Sequence, residues 1–290
     1  MWSAIELVRP LNCAMSAVGV LIGGFLVLKT VTLPMVIAFI AALFLTGAGN
    51  AINDFFDIES DKINRPKRPI PAGRLKKNHA VLIALVLFAA GISLAATINW
   101  LCILIAAVNS VLLVLYSFNL QDKILVGNLC VSYLVASTFI FGGAAVNNFE
   151  IPFILALLAG LATLSREIVK DLEDLEGDRA SFLKKVASKI KGSLMDRFRI
   201  SPRGIKLRYK TIYAILIASF SLWMAVLASL IPYMWEILGL SYLTVLIPTD
   251  AVFIYASYIL IRRRKYSLVS RLIKTGMFLG LLAFLVGIFV

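Results

Sequence analysis

Nine apolar runs, each near the length that crosses a bilayer, constrain this chain more than any other feature. A helix of about 20 residues spans a hydrocarbon layer roughly 30 Å thick. Inside that layer the backbone must satisfy its own hydrogen bonds, which favours helices. The runs cover residues 11–28, 32–53, 80–98, 101–118, 125–146, 152–170, 211–231, 237–261 and 269–290. With 60% hydrophobic residues, the sequence predicts an all-α, polytopic membrane protein with a single domain, residues 1–290.

Basic residues are distributed in a way that predicts the orientation of the chain. The net charge is +13. If the N-terminus is cytoplasmic, Lys29 is the only one of the 29 Lys and Arg residues on the outer side. This is the positive-inside pattern of a multi-pass cell-membrane protein, so the charge does not indicate a nucleic-acid partner. The two long cytoplasmic loops, residues 62–79 and 179–210, are expected to form a cap over the cytoplasmic face.

Two polar stripes interrupt this apolar pattern, and both have the offsets 0, 4, 7 and 11. At about 100° per residue, such offsets fall within an arc of roughly 60° on one helix face. The first stripe is Asn50, Asp54, Asp57 and Asp61, and the second stripe is Glu167, Asp171, Asp174 and Asp178. In the predicted topology both lie at cytoplasmic helix ends. A carboxylate beside a membrane loses several kcal/mol of hydration unless a cation replaces the water. We therefore expect facing stripes that bind divalent cations; the alternative is that each stripe is a solvated helix end.

Cations flank both stripes and indicate which ligand the metal would accompany. Mg²⁺ takes about six oxygens, few of them from protein and the rest from water and phosphate. Basic side chains neutralise the remaining phosphate charge. The candidate phosphate ligands are Arg65, Lys67, Arg68, Lys123, Arg166 and Lys170. The helices beyond the stripes are apolar, so the pattern predicts a diphosphate head at the cytoplasmic mouth with an apolar tail in the bundle.

Metal-bound diphosphate is a good leaving group when it departs from an allylic carbon, because the metal stabilises the charge that develops. We assign this catalytic role to the four central carboxylates of the stripes, Asp54, Asp57, Asp171 and Asp174. Asn50, Asp61 and Asp178 are expected to complete the Mg²⁺ ligands. The reaction then depends on which nucleophile is held nearby.

The two stripes resemble the paired aspartate motifs of the UbiA superfamily of intramembrane prenyltransferases. The resemblance is carried by Asn50-Ala-Ile-Asn53-Asp54-Phe-Phe-Asp57-Ile-Glu-Ser-Asp61 and by Asp171-Leu-Glu-Asp174-Leu-Glu-Gly177-Asp178. It implies nine transmembrane helices around a central cavity that opens to the cytoplasm, Mg²⁺ as cofactor, and an isoprenyl diphosphate donor. No obligate protein partner is expected.

Three further segments are most similar to archaeal members of the superfamily. They are Arg9-Pro10-Leu11-Asn12, Asn64-Arg65-Pro66 with Arg68-Pro69-Ile70-Pro71, and Arg166-Glu167-Ile168-Val169-Lys170-Asp171. The similarity implies transfer of a geranylgeranyl group from geranylgeranyl diphosphate to the sn-2 hydroxyl of geranylgeranylglyceryl phosphate, which forms the second ether bond of archaeal membrane lipids. The acceptor is then a lipid that carries a phosphate.

The same resemblance implies roles for residues outside the stripes. Tyr116, Lys123 and Asn128 would line the cavity, with Lys123 at a phosphate and the Tyr116 ring near the developing cation, and Asn12 would bind substrate. Aromatic faces attract cations, although a Tyr at a helix end is also common at membrane interfaces. After the second stripe the chain departs from the family pattern and continues Arg179-Ala-Ser-Phe-Leu-Lys-Lys, which leaves the lid and the acceptor contacts open.

Two other functions fit parts of the pattern. An aromatic prenyltransferase of quinone synthesis, acting on a 4-hydroxybenzoate-type acceptor, would use the same metal site but would need only a small carboxylate pocket. A transporter of cations or organophosphates would place its site near the bilayer midplane, where both sides can reach it. The stripes lie at one face only, which disfavours transport.

Three remaining features are interpreted structurally. Phe182, Val186, Ile190, Leu194 and Phe198 recur every four positions among basic residues, which predicts either an interfacial helix on an anionic leaflet or a basic loop. Asp250 follows Pro248 and Thr249, and we expect this run to break a helix and cap its second half. The three cysteines lie in apolar runs, and the single histidine, His79, does not indicate a zinc site.

Overall fold

The computed structural model describes residues 2–121, 123–189 and 202–289, with the side chains of all these except 124, 177–189 and 202–210. Within these ranges every regular element is a helix. The chain forms two compact units, Met1–Gly160 and Leu161–Val290.

The first unit contains eight complete helices and the start of another. They are α1 (Trp2–Val8), α2 (Pro10–Leu28), α3 (Leu33–Phe56), α4 (Ile58–Asn64), α5 (Lys77–Ala96), α6 (Trp100–Leu115), a π-helix (Tyr116–Leu120), α7 (Ile124–Ala145) and the first part of α8 (Glu150–Lys189). Pro10 opens α2, where its missing N–H costs no hydrogen bond. Lys29 ends the helix in a left-handed conformation (φ 56°), and its N–H donates to the Phe25 carbonyl.

Small residues let the helices of the first unit approach closely around α3. Ala38, Ala41 and Ala42 on α3 belong to a buried apolar cluster that also includes residues of α2, α6 and α7. A side chain at Gly142 of α7 would overlap the backbone carbonyl of Val20 on α2. Close backbone approach of this kind is typical of helices packed in a membrane.

The second unit contains the rest of α8 and four further helices. They are α9 (Pro202–Ser229), α10 (Ile231–Met234), α11 (Leu240–Arg262) and α12 (Tyr266–Phe289). Its core is mainly aliphatic, and Val169 of α8, Leu222 of α9, Ile259 of α11 and Ile273 of α12 are fully buried together. Because α8 continues without a break through the second stripe, that stripe lies on one uninterrupted helix.

The predicted transmembrane architecture is confirmed. Nine helices in the described part of the chain are long and apolar enough to cross a membrane. Most of these helices are longer than the predicted apolar runs and continue into polar residues at their ends, because a helix need not stop where hydropathy falls. The central cavity's opening to the cytoplasm, the cytoplasmic N-terminus and the cap formed by residues 62–79 and 179–210 stay predictions.

The expected helix break at Pro248 is wrong. Pro248 lies inside α11, which is helical from Leu240 to Arg262. Asp250 therefore caps nothing; its carboxylate oxygens lie 3.0 and 3.2 Å from the Ser229 hydroxyl.

The predicted interfacial segment, residues 182–198, is described only in part. Helix α8 covers it up to Lys189, and residues 190–198 lie outside the described residues.

Candidate active site

The first stripe continues across the junction between α3 and α4. Asn50 and Asp54 lie on α3, Asp57 lies at the junction, and Asp61 lies on α4. The N–H of Asp57 donates to the Asn53 carbonyl at 2.9 Å, and the N–H of Asp61 donates to the Asp57 carbonyl at 2.8 Å. These bonds keep the spacing of four residues per turn across the junction, so the polar groups stay on one face.

Two carboxylates of the first stripe are buried against arginines. The side chains of Asp54 and Asp61 are only 3% and 7% exposed. Arg9 donates to Asp54 Oδ1, and Arg68 Nη1 lies 3.1 Å from the same oxygen and also donates to Asp61 Oδ2. A buried carboxylate is tolerated when a cation is paired with it, and here two arginines supply that charge.

Asp57 is held differently, by neutral groups. Asn53 Nδ2 donates to its Oδ2 at 2.6 Å, and Gln121 Nε2 donates to its Oδ1 at 2.7 Å. The amides orient the carboxylate without neutralising its charge.

Asn50 joins the stripe to the N-terminal helices. Its Nδ2 donates to the Val8 carbonyl at 2.8 Å and lies 3.9 Å from the Cys13 sulfur. The amide nitrogen is thus committed to α1 and α2, and its oxygen is the atom that a metal would use.

The basic loop after α4 folds back toward α1. Its backbone turns, with the Ala72 N–H donating to the Arg68 carbonyl at 3.0 Å. Arg74 binds both carboxylate oxygens of Glu6, at 2.6 and 3.0 Å; this pairing lowers the pKa of Glu6 below its ordinary value. Arg65 and Lys67 are exposed, whereas Arg68 is half-buried at the stripe. Only Arg68 of the three predicted cations in this loop contacts the carboxylates.

The π-helix and the start of α7 contain the candidate residues Tyr116, Lys123 and Asn128. Tyr116 begins it, and Ser117 is buried 3.4 Å from the Asn53 side-chain oxygen. Lys123 is exposed at the start of α7, and Asn128 is buried one turn further on. Gln121 ends the π-helix beside Asp57.

An apolar cavity of about 350 Å³ lies in the first unit between α2, α3, α6 and α7. Asn12, Thr46 and Asn109 are among its polar lining residues, and Ala42 and Phe141 are among its apolar ones. Its volume is in the range of ordinary small-ligand pockets, about 300–1,000 Å³. Thr46 precedes Asn50 by about one helical turn. Asn12 is next in the chain to Cys13, whose sulfur lies 3.9 Å from Asn50 Nδ2. The cavity therefore adjoins the start of the first stripe.

The second stripe lies on α8 in the second unit. Glu167 and Asp171 are half-buried, and Asp174 is exposed. Glu167 Oε1 accepts from Arg166 at 2.5 Å, and Lys170 is exposed. The side chain of Asp178 lies outside the described residues.

Three residues whose side chains bond to carboxylates of the first stripe were not predicted as site residues: Arg9, Asn53 and Gln121. Arg9 lies in a segment that resembles the UbiA superfamily, but the resemblance implies no role for it, and Gln121 lies outside those segments. The signal for Arg9 was available, because it is the only cation before the first span. Nothing in the sequence around Gln121 indicates that it reaches α3.

The donor set fits Mg²⁺. The described residues give no bonding partner to Oδ2 of Asp54 or to Oδ1 of Asp61, so each carboxylate keeps an oxygen for a cation. No three His, Cys, Asp or Glu side chains among the described residues cluster tightly enough to hold a metal by themselves. Mg²⁺ commonly takes one or two carboxylates and completes its shell with water and phosphate, which is the arrangement that these groups suit.

Nine apolar spans in the described part of the chain, a carboxylate stripe with basic neighbours and an adjoining apolar cavity define an integral membrane protein with a site for an amphiphilic anion. Residues 16–282 match the model of the UbiA prenyltransferase family, and the chain belongs to that family. It is an enzyme of the prenyltransferase class.

Curated relatives and solved structures support a more specific comparison. The chain is 43% identical to the digeranylgeranylglyceryl phosphate synthase of Methanopyrus kandleri, over 98% of both chains. It is 36% identical to the synthase of the same name from Methanosarcina mazei, over 98% of this chain and 97% of that one. A solved structure of digeranylgeranylglyceryl phosphate synthase in membranes matches with a TM-score of 0.81 and 33% identity, over 99% of this chain and 97% of that one.

A more distant structure shares the fold. A UbiA homologue from Archaeoglobus fulgidus, bound to DMAPP and Mg²⁺, matches with a TM-score of 0.65 and 16% identity, over 98% of this chain and 99% of that one.

Proposed function

We propose that this enzyme transfers a geranylgeranyl group from geranylgeranyl diphosphate to the sn-2 hydroxyl of geranylgeranylglyceryl phosphate. The product carries the second ether bond of archaeal membrane lipids. One observation carries the proposal: the apolar cavity adjoins the start of the first stripe, with Thr46 one helical turn before Asn50. A ligand with a charged head and a long apolar tail would place its head at the stripe and its tail in the cavity. The synthases named above support the choice of acceptor.

The two stripes divide the metal ligands between them in this proposal. Mg²⁺, when bound, would stabilise the negative charge that develops on the departing diphosphate. Asn50, Asp54, Asp57 and Asp61 would hold it from the first stripe, and Asp171, Asp174 and Asp178 from the second. The Archaeoglobus homologue was solved with an isoprenyl diphosphate and Mg²⁺, which supports this cofactor.

The basic residues bind the phosphates. Arg68 would act twice, one role after the other. Before substrate binds, it pairs with Asp54 and Asp61. Once a metal neutralises those carboxylates, its planar guanidinium suits a phosphate oxygen. The exposed cations are available to the diphosphate of the donor and the phosphate of the acceptor. They are Arg65, Lys67, Lys123 and Lys170. Arg166, which pairs with Glu167, would do the same.

The remaining residues position the reacting groups. The Tyr116 ring would face the allylic cation, since an aromatic face attracts positive charge. Asn12 lines the cavity, and together with Asn128 it would orient the two substrates. The cavity excludes water from the allylic carbon, so the acceptor hydroxyl is the nucleophile that reaches it. The active site would open to the cytoplasm, where the soluble diphosphate donor is available.

Radiolabelled geranylgeranyl diphosphate tests the proposal with the purified full chain in detergent. Each reaction contains either geranylgeranylglyceryl phosphate or 4-hydroxybenzoate, with Mg²⁺ or with EDTA. We expect a labelled ether lipid only with the glycerophosphate acceptor and Mg²⁺. Prenylation of 4-hydroxybenzoate alone would instead assign the enzyme to quinone synthesis, and turnover in EDTA would remove the metal from the mechanism.

A further inference from the structure

Gln121 belongs to neither stripe, yet it bonds directly to one of their carboxylates. Its Nε2 donates to Asp57 Oδ1 at 2.7 Å, and Asn53 Nδ2 donates to the other oxygen at 2.6 Å. The two amides approach from different elements, the π-helix end and α3. With one donor on each oxygen, the plane of the Asp57 carboxylate is determined.

Asp57 differs from the other two carboxylates of the first stripe in the groups that bind it. Arg9 and Arg68 match the charges of Asp54 and Asp61, whereas amide donors orient a carboxylate without adding positive charge. Each carboxylate oxygen has a second lone pair after accepting one hydrogen bond. Of the three first-stripe carboxylates, all in the described part of the chain, Asp57 is the one held by neutral donors alone. It presents an oriented, uncompensated negative charge.

The local backbone explains how Gln121 reaches α3. Its N–H donates to the Tyr116 carbonyl five residues back, at 3.1 Å, which is the wide turn of a π-helix. The Phe118 ring packs edge-on against Phe56 of α3, with centroids 5.6 Å apart. Ser117, next to Phe118 in the chain, is buried. These contacts hold Gln121 at Asp57 without any substrate.

We propose that Gln121 is a positioning residue that orients Asp57 as a ligand for the metal–diphosphate complex. The inference rests on the proposed function only in requiring that the first stripe binds the metal. Partners that hydrogen-bond to a ligating carboxylate affect metal affinity by about 10- to 100-fold when removed. Gln121 is such a partner, and it acts on the metal through Asp57.

Mn²⁺ binding tests the proposal without requiring turnover. The full chain in detergent is titrated with Mn²⁺ in the presence of inorganic diphosphate, and unbound Mn²⁺ is measured by electron paramagnetic resonance. Gln121→Met keeps the side-chain length and removes the donor. Asn119→Met is the matched control, because Asn119 is exposed on the same π-helix. We expect Mn²⁺ to bind about tenfold more weakly to Gln121→Met, with an unchanged Tm, and normally to the control.

Steady-state kinetics add a second measurement. Since the defect lies in metal binding, raising the Mg²⁺ concentration should restore kcat in Gln121→Met. If that variant does not fold, Gln121→Asn replaces it, because an amide one methylene shorter cannot reach Asp57 at the same geometry. Wild-type Mn²⁺ affinity in a folded variant of Gln121 would overturn the inference.

Failure of the inference and failure of the proposed function give different results. A wild-type enzyme that prenylates the lipid acceptor, together with unaltered Mn²⁺ affinity in the Gln121 variant, removes only the role of Gln121. Weakened Mn²⁺ binding in the variant, with a wild-type enzyme that does not use the lipid acceptor, removes only the proposed acceptor.

Discussion

Arg68 Nη1 lies 3.1 Å from Asp54 Oδ1 and also donates to Asp61. One guanidinium therefore bridges two buried carboxylates of the first stripe. A metal that binds the same carboxylates also supplies positive charge, so Arg68 and the metal stabilise the stripe by the same electrostatic means. The relation makes the basic loop and the metal site interdependent.

Replacing Arg68 with Met should destabilise the metal-free protein and increase its response to Mg²⁺. The loss is expected to be about 2–4 kcal/mol, below the full cost of an unpaired buried charge because Arg9 still neutralises Asp54. Melting curves with and without Mg²⁺ measure both effects. Lys62→Met is the control, because Lys62 forms an exposed pair with Glu59 and such pairs contribute little. An equal Mg²⁺-induced rise in Tm in Arg68→Met and the wild type would show that the two cations do not substitute for each other.

Asp54→Ala and Asp171→Ala should each abolish turnover in a protein that remains folded. Each change removes a carboxylate that we assign to the metal, and losses of about 100-fold or more are expected from an incomplete metal site. Glu59→Ala serves as the control, since Glu59 is an exposed carboxylate on α4 beside the stripe. The radiolabel assay measures all three. Full activity in either aspartate variant would show that its stripe does not ligate the metal.

Gly142→Ala should destabilise the first unit. Its new methyl group would overlap the Val20 backbone carbonyl, which cannot rotate away as a side chain can, and overpacking of this kind costs about 1–3 kcal/mol or more. Gly280→Ala is the matched control in α12, where the nearest atom is the Thr249 methyl at 3.7 Å. Differential scanning fluorimetry should show a lower Tm for Gly142→Ala alone; equal Tm values would contradict the close approach of α2 and α7.

Asp250 should matter as a hydrogen-bond acceptor rather than as a charge. Ser229 Oγ lies 3.0 and 3.2 Å from its oxygens, and Tyr242 donates to the Ser229 carbonyl at 2.7 Å. We expect Asp250→Asn to keep its stability and Asp250→Leu to lose about 1–2 kcal/mol. A double-mutant cycle with Ser229→Ala should give a coupling of about 1 kcal/mol. Additive effects in the cycle would mean that this contact contributes nothing.

The Glu6–Arg74 pair should make a small, pH-dependent contribution to stability. Arg74 lowers the pKa of Glu6 from the ordinary 4.5. The folded protein therefore binds the Glu6 proton less readily than the unfolded chain does, so the stabilisation is present above pH 4.5 and is lost as pH falls through the lowered pKa. Comparing Tm of wild type and Glu6→Gln at pH 7 and pH 3 should show a smaller difference at pH 3 than at pH 7. An equal difference at the two pH values would exclude the ion pair as its cause.

Sequence reasoning located the transmembrane spans because crossing a membrane depends on composition within a window of about 20 residues. It identified the stripes for a similar reason, since helical periodicity is local and brings residues four apart to one face. The same local reasoning was wrong about Pro248, because packing around α11 keeps the helix continuous where the Pro-Thr-Asp pattern favours a break.

The side chains that bond to each carboxylate of the first stripe could be identified only from the tertiary structure. The bond from Gln121 to Asp57 joins residues 64 apart, and the bond from Arg9 to Asp54 joins residues 45 apart. No periodicity links such positions; the packing of α2 and the π-helix against α3 decides them. The sequence by itself determined a membrane-embedded bundle with two acidic helix faces. The tertiary structure decided which carboxylates are paired with arginines and which one is held by amides alone. That depends on side chains from the α1–α2 junction, the loop after α4 and the end of the π-helix, which reach the same few ångströms of α3 and α4.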